Sequence, residues 1–173
     1  MKRNTLLVSA VAILFALAGI YFGARHHAPI AAETTAVDAF FQQRLLGSDG
    51  QTQALSQWRG KALVVNFWAT WCAPCVEEMP ELVQLQTELT PENIQILGIG
   101  IDSFDNIKEF AAKYHISYPL YAGDVGATEV TRKLGNQSGG LPFTVLIDAK
   151  GEVRKTYLGR LKMAQLRADI AAL

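Results

Sequence analysis

The chain has 173 residues, half of them apolar, a formal net charge of +0 and two cysteines. This suits one domain with its own core plus an appendage. The balanced charge excludes the basic footprint of a nucleic-acid binder, and two cysteines are too few for a disulfide-built scaffold.

Lys2 and Arg3 precede an uncharged run from Thr5 to Ala24. About 20 apolar residues rising ~1.5 Å each span a ~30 Å hydrocarbon core. The basic excess ahead of the run places the N-terminus inside and everything after residue 25 outside. Residues 1–24 therefore read as an uncleaved membrane anchor. A cleaved signal peptide is the alternative: its apolar stretch is usually ~7–15 residues, shorter than this one. Ala28, Ala31 and Ala32 leave cleavage open. Either reading puts the remainder across the inner membrane, where disulfides form. Residues 25–37 read as a linker. Its His26-His27 pair reads as solvated rather than metal-binding, because adjacent side chains face different ways and no cysteine or acidic cluster is near.

The soluble part starts at residue 38. Short apolar pieces over 38–59 flank Asp49-Gly50, a hairpin turn signal. Residues 62–68, "ALVVNFW", form a near-continuous apolar and β-branched run, as in a strand buried on both faces. From 73 to 89, Val76, Met79, Leu82, Val83, Leu85 and Leu89 recur at helix spacing. Residues 94–102, "IQILGIGID", read as a second strand. Strand, helix and strand within ~40 residues imply a right-handed crossover and a parallel pair. A helix over 105–114 follows, then "YPLYAG" as a short strand or loop, and "GATEVTRKLG" as a short helix closed by Gly135. A hairpin joins "FTVLID" (143–148) to "EVRKTYLG", and an amphipathic helix spans 162–173. The order predicts an α/β sandwich with a mixed central sheet.

Cys72-Ala73-Pro74-Cys75 falls at the junction of a buried strand and a helix. A helix N-terminus carries unpaired N–H groups and about half a positive charge, which favours a thiolate at Cys72. Pro74 is tolerated in the first turn, where its missing N–H would be unpaired anyway. Cys72 is thus the better nucleophile and Cys75, one turn in, the resolving thiol. A C-x-x-C at the end of a βα unit is a redox signal. Zinc needs about four ligands and no second cluster is present. A static disulfide closing so short a loop constrains little of the unfolded chain. The pattern asks for no cofactor and no resident metal.

The stretch "VVNFWATWCAPCVEEMP" resembles the active-site segment of thioredoxin-like proteins, and more narrowly the membrane-anchored, periplasm-facing TlpA/ResA type. The resemblance covers roughly residues 38–173, and the N-terminal anchor matches it. It implies a thioredoxin fold with an extra helical insert over about 103–135, and thiol–disulfide exchange. It further implies reduction of client proteins such as apocytochrome c, with electrons from a membrane-embedded thiol donor. By position, Trp71 shields the disulfide, and Pro142 in "GGLPFTV" matches a cis-proline beside it. Trp71, Pro74, Leu141 and Pro142 become the expected client contacts, with Gly139 and Gly140 allowing close approach. Pro80 is expected to kink the helix.

Resolution requires Cys75 to lose a proton. Thioredoxins proper place a buried aspartate under the second cysteine, and Asn66 stands there instead. Glu78, three residues after Cys75 on the same helix face, is the candidate base, provided that burial raises its pKa. The alternative is an exposed first-turn carboxylate that only favours the helix dipole. Glu77 is expected in solvent.

Three rival functions remain. The same chemistry could run as an oxidant or isomerase, since ~30 mV of potential is worth ~1.4 kcal/mol. A copper-binding assembly factor would use the cysteines with His115, but those proteins space their cysteines by three residues, and "YHISYP" reads as a helix exit. A peroxidase is disfavoured by the tryptophan-flanked C-x-x-C.

Overall fold

The computed structural model describes residues 35–173. The anchor, its cleavage alternative and the His26-His27 pair lie outside the described residues. Among the described residues, no helix is long and apolar enough to cross a membrane.

Helix α1 (Ala36–Phe41) leads into strands β1 (Arg44–Gly47) and β2 (Thr52–Ala54). A 3-10 turn, Leu55–Trp58, connects to β3 (Ala62–Trp68), α2 (Ala73–Leu89) and β4 (Ile94–Gly100). Then follow α3 (Phe104–Lys113), β5 (Leu120–Ala122), α4 (Val125–Lys133), the hairpin of β6 (Phe143–Ile147) and β7 (Val153–Leu158), and α5 (Met163–Ile170). The seven strands form one sheet in the order β2-β1-β5-β4-β3-β6-β7. β3–β4 and β4–β5 run parallel, and the other neighbours antiparallel. This is a thioredoxin-like fold, a mixed sheet flanked by helices.

The central strands are apolar on both faces because helices cover both. Leu63, Val65 and Phe67 point to one core, shared with Phe40 of α1 and Val130 of α4. Val64 and Trp68 point to the other, shared with Cys75, Met79 and Leu82 of α2 and Leu166 of α5. Side chains alternate along a strand. Asn66, between Val64 and Trp68, therefore faces the cysteine side.

Two features differ from the sequence expectation. The chain becomes helical at Ala36, two residues inside the stretch read as linker; the Thr35 hydroxyl caps α1 by accepting from the Asp38 N–H at 3.0 Å. β4 stops at Gly100 rather than residue 102, because Asp102 turns to accept from the Ser103 N–H (2.7 Å) and Asn106 Nδ2 (2.7 Å) at the start of α3. Within the insert, "YPLYAG" takes the strand form of its two readings and contributes β5, parallel to β4. Pro80 sits on the exposed side of α2, which continues through it to Leu89.

Candidate active site

β3 ends at Trp68, and four residues later Cys72 forms the N-cap of α2. Cys75 N–H and Val76 N–H both donate to the Cys72 carbonyl, closing the first turn. Cys72 and Cys75 are joined as a disulfide. Cys72 is 7 % exposed and Cys75 fully buried, so an incoming sulfur meets Cys72 first. Trp71 is 71 % exposed. Core packing is not its role; Trp68 is the buried tryptophan. Pro74 is exposed in the first helical turn.

Glu78 is fully buried. Asn66 Nδ2 donates to its Oε1 at 2.8 Å, and the Leu161 N–H donates to its Oε2 at 2.9 Å. Burial pushes its pKa above the usual glutamate value; the Leu161 N–H, the Asn66 amide and the Arg160 charge partly oppose this. The reading of Glu78 as an exposed carboxylate is thereby excluded. Glu77 is exposed and pairs with Arg160 at 2.9 Å. Asn66 Nδ2 also donates to Thr144 Oγ1 on β6 at 3.0 Å. Asn66 thus fastens the sheet to the helix that carries the cysteines.

Leu141 and Pro142 enter β6, whose Phe143 pairs with Phe67 near the end of β3. Their peptide bond is cis. Leu141 is half-buried and packs against the core that contains both cysteines. Gly139 takes a φ of +67°, which glycine adopts freely. Asn136 Nδ2 donates to the Gly140 carbonyl at 2.9 Å and holds this loop. The structure therefore brings Cys72, Cys75 and Glu78 together over the N-cap and first two turns of α2, with Leu141 packed against the core that holds the cysteines.

Sequence reasoning missed several supports. Asn136 and Thr144 are buried polar residues whose partners are distant or in a loop. Thr70 donates from its backbone N–H (3.3 Å) and its hydroxyl to Asp102, tying the loop before Trp71 to the end of β4. The signal available for Thr144 was a single polar residue within an apolar strand. Between α2 and α3 lies an open groove of about 330 Å³, lined by Thr70, Val76, Asn106, Phe110, Lys113 and Tyr114. Phe110 and Tyr114 stack there with ring centroids 4.3 Å apart. His115, at φ +51°, leaves α3 in the left-handed conformation typical of a helix exit.

A profile of the Redoxin family matches residues 31–170. The chain belongs to the Redoxin family. Among redoxin relatives, the thiol-disulfide oxidoreductase ResA of Geobacillus thermodenitrificans is 28 % identical over 99 % of this chain and 98 % of its own length. ResA of Oceanobacillus iheyensis is 31 % identical over 71 % of this chain and 64 % of that protein. A solved thiol:disulfide interchange protein of the thioredoxin family from Chlorobium tepidum superposes with a TM-score of 0.65 at 28 % identity, covering 75 % of this chain and 91 % of that one. This redoxin is a ResA-type thiol–disulfide oxidoreductase.

Proposed function

We propose that the chain is a reductant of client proteins on the periplasmic side of the bacterial inner membrane, held there by residues 1–24. The residues between that single-pass anchor and Thr35 form the link to the catalytic domain, which begins with α1 at Ala36. The clients are proteins with a disulfide, apocytochrome c among them, and a membrane-embedded thiol donor restores the dithiol. The ResA relatives and the apolar run from Thr5 to Ala24 support this reading.

The observation that carries the mechanism is the place of Glu78: buried, three residues after Cys75, with a raised pKa. The Cys72 thiolate attacks one sulfur of the client disulfide and the other client sulfur leaves as a thiolate. Glu78 takes the proton of Cys75. The Cys75 thiolate attacks Cys72 Sγ, the client's second sulfur leaves, and the chain holds the Cys72–Cys75 disulfide. The client gains two electrons and, after protonation, two protons. Trp71, Pro74, Leu141 and Pro142 form the client contact, and the groove beside α3 extends it.

The test is a Cys75→Ser trap in native membranes, read by mass spectrometry, with a redox titration of the parent. The reading expects a mixed disulfide between Cys72 and a protein with paired cysteines, and a reducing potential. Adducts only to an oxidising partner, or a strongly oxidising potential, would reverse the direction of the reaction.

A further inference from the structure

Among the described residues, three buried side-chain atoms have no hydrogen-bond partner: Asn66 Oδ1, Trp68 Nε1 and the Tyr118 hydroxyl. They lie together. Asn66 and Trp68 are two residues apart on β3 and share the face that packs under α2. The ladder partner of Asn66 on β4 is Gly98. A Cβ at Gly98 would stand 2.3 Å from Leu120 Cδ2, 3.2 Å from Trp68 Nε1 and 3.3 Å from Tyr118 Cε2. The indole N–H and the edge of the phenol ring thus converge, together with the Leu120 methyl, over the Gly98 backbone beside Asn66. Trp68 and Tyr118 also belong to the core that contains Cys72 and Cys75.

The carboxamide of Asn66 is fixed in orientation. Its Nδ2 donates to Glu78 and to Thr144, and turning it over would set its oxygen against a carboxylate. Burial, and secondarily the charge on Glu78, keep the Tyr118 phenol protonated and hence a donor. The unpaired set is therefore two donors and one acceptor. Buried polar groups are paired with protein or with ordered water, and a buried water takes about three such partners. One water accepts from Trp68 and Tyr118 and donates to Asn66, which satisfies all three. Its second hydrogen stays available to a further acceptor on that face.

We propose that Asn66, Trp68 and Tyr118 form a binding site for one ordered water beneath the helix that carries the cysteines. The water holds Asn66 Oδ1, while Asn66 Nδ2 holds Glu78. The site goes beyond the role given to Glu78 and stands without it.

The three tryptophans of the chain make the test specific. The full chain, ¹⁵N-labelled in detergent micelles, gives three indole N–H signals. Trp58 donates to Tyr121 Oη at 3.0 Å and serves as the protein-bonded control, and exposed Trp71 as the bulk-solvent control. Trp68 is expected to show water NOE and ROE cross-peaks of opposite sign, the signature of a long-lived water. Water ¹⁷O relaxation dispersion, which is blind to hydroxyl proton exchange, is expected to lose the amplitude of one water in Tyr118→Phe. A Trp68 indole without a water cross-peak overturns the site, as does a dispersion amplitude unchanged by Tyr118→Phe. Loss of Glu78 function with both water signals retained would overturn only the base assignment. Should Tyr118→Phe fail to fold, the Trp68 cross-peak in the parent decides alone.

Discussion

Changing Glu78 to glutamine keeps the size of the side chain and removes its capacity to take a proton. The structure sets two magnitudes. Both carboxylate oxygens accept from N–H donors, Asn66 Nδ2 and Leu161 N. An amide offers one oxygen and one NH₂, so one donor faces a donor, at a cost of ~1–3 kcal/mol. The change also removes a carboxylate whose ionised form burial disfavours. The two effects oppose, and the folded state survives. Proton transfer by a positioned base is worth about 10²–10⁴-fold. Resolution of a preformed mixed disulfide on Cys72 is expected to slow about 100-fold or more near neutral pH. The deficit shrinks as pH rises and Cys75 ionises unaided. Quenched-flow trapping of the mixed disulfide, read by mass spectrometry, follows this step alone. A Glu78→Gln rate equal to the parent's at every pH would falsify the assignment of Glu78 as base.

Three further outcomes follow from the same geometry. Glu78 binds its proton more tightly folded than unfolded, so the native state holds more protons between the usual value of 4.5 and its raised folded pKa. Stability should fall as pH rises through that window and not fall in Glu78→Gln, as urea titrations across pH can show. Asn66→Asp sets a second carboxylate against Glu78 Oε1; the pair should share one proton, costing ~3 kcal/mol or more above that window by chemical denaturation. An Asn66→Asp variant as stable as the parent at neutral pH would contradict the contact. Asp102→Ala frees Thr70 and loosens the loop ahead of Trp71; alkylation of reduced Cys72 should quicken several-fold with little change in client-free stability, and an unchanged rate argues against the tether.

The central strand and its helix were legible because their signals are local and repeated. Residues 62–68 are apolar but for Asn66, and 73–89 repeat at helix spacing, so β3 and α2 fall where the pattern places them. Helix α1 was not legible from hydrophobic spacing, being only six residues long; Thr35 with Asp38 three residues on was the capping signal to read. Strand β5 is three residues, too short for a period to show. At the site, spacing put Glu78 on the face of Cys75. Whether that face met solvent or core depended on Asn66, Thr144 and the Leu161 N–H, spread over nearly a hundred positions of sequence. Such a network is written in tertiary structure, and only the replacement of an expected aspartate by Asn66 hinted at it.

The division of labour between the cysteines rests on Cys72 standing at the helix N-terminus and Cys75 lying buried one turn in. The most direct measurement compares Cys75→Ser with Cys72→Ser against one disulfide-containing peptide, counting mixed disulfides by intact mass. Attack by Cys72 predicts a stable adduct on Cys75→Ser and none, or one formed orders of magnitude more slowly, on Cys72→Ser. Equal or faster adduct formation through Cys75 would contradict it.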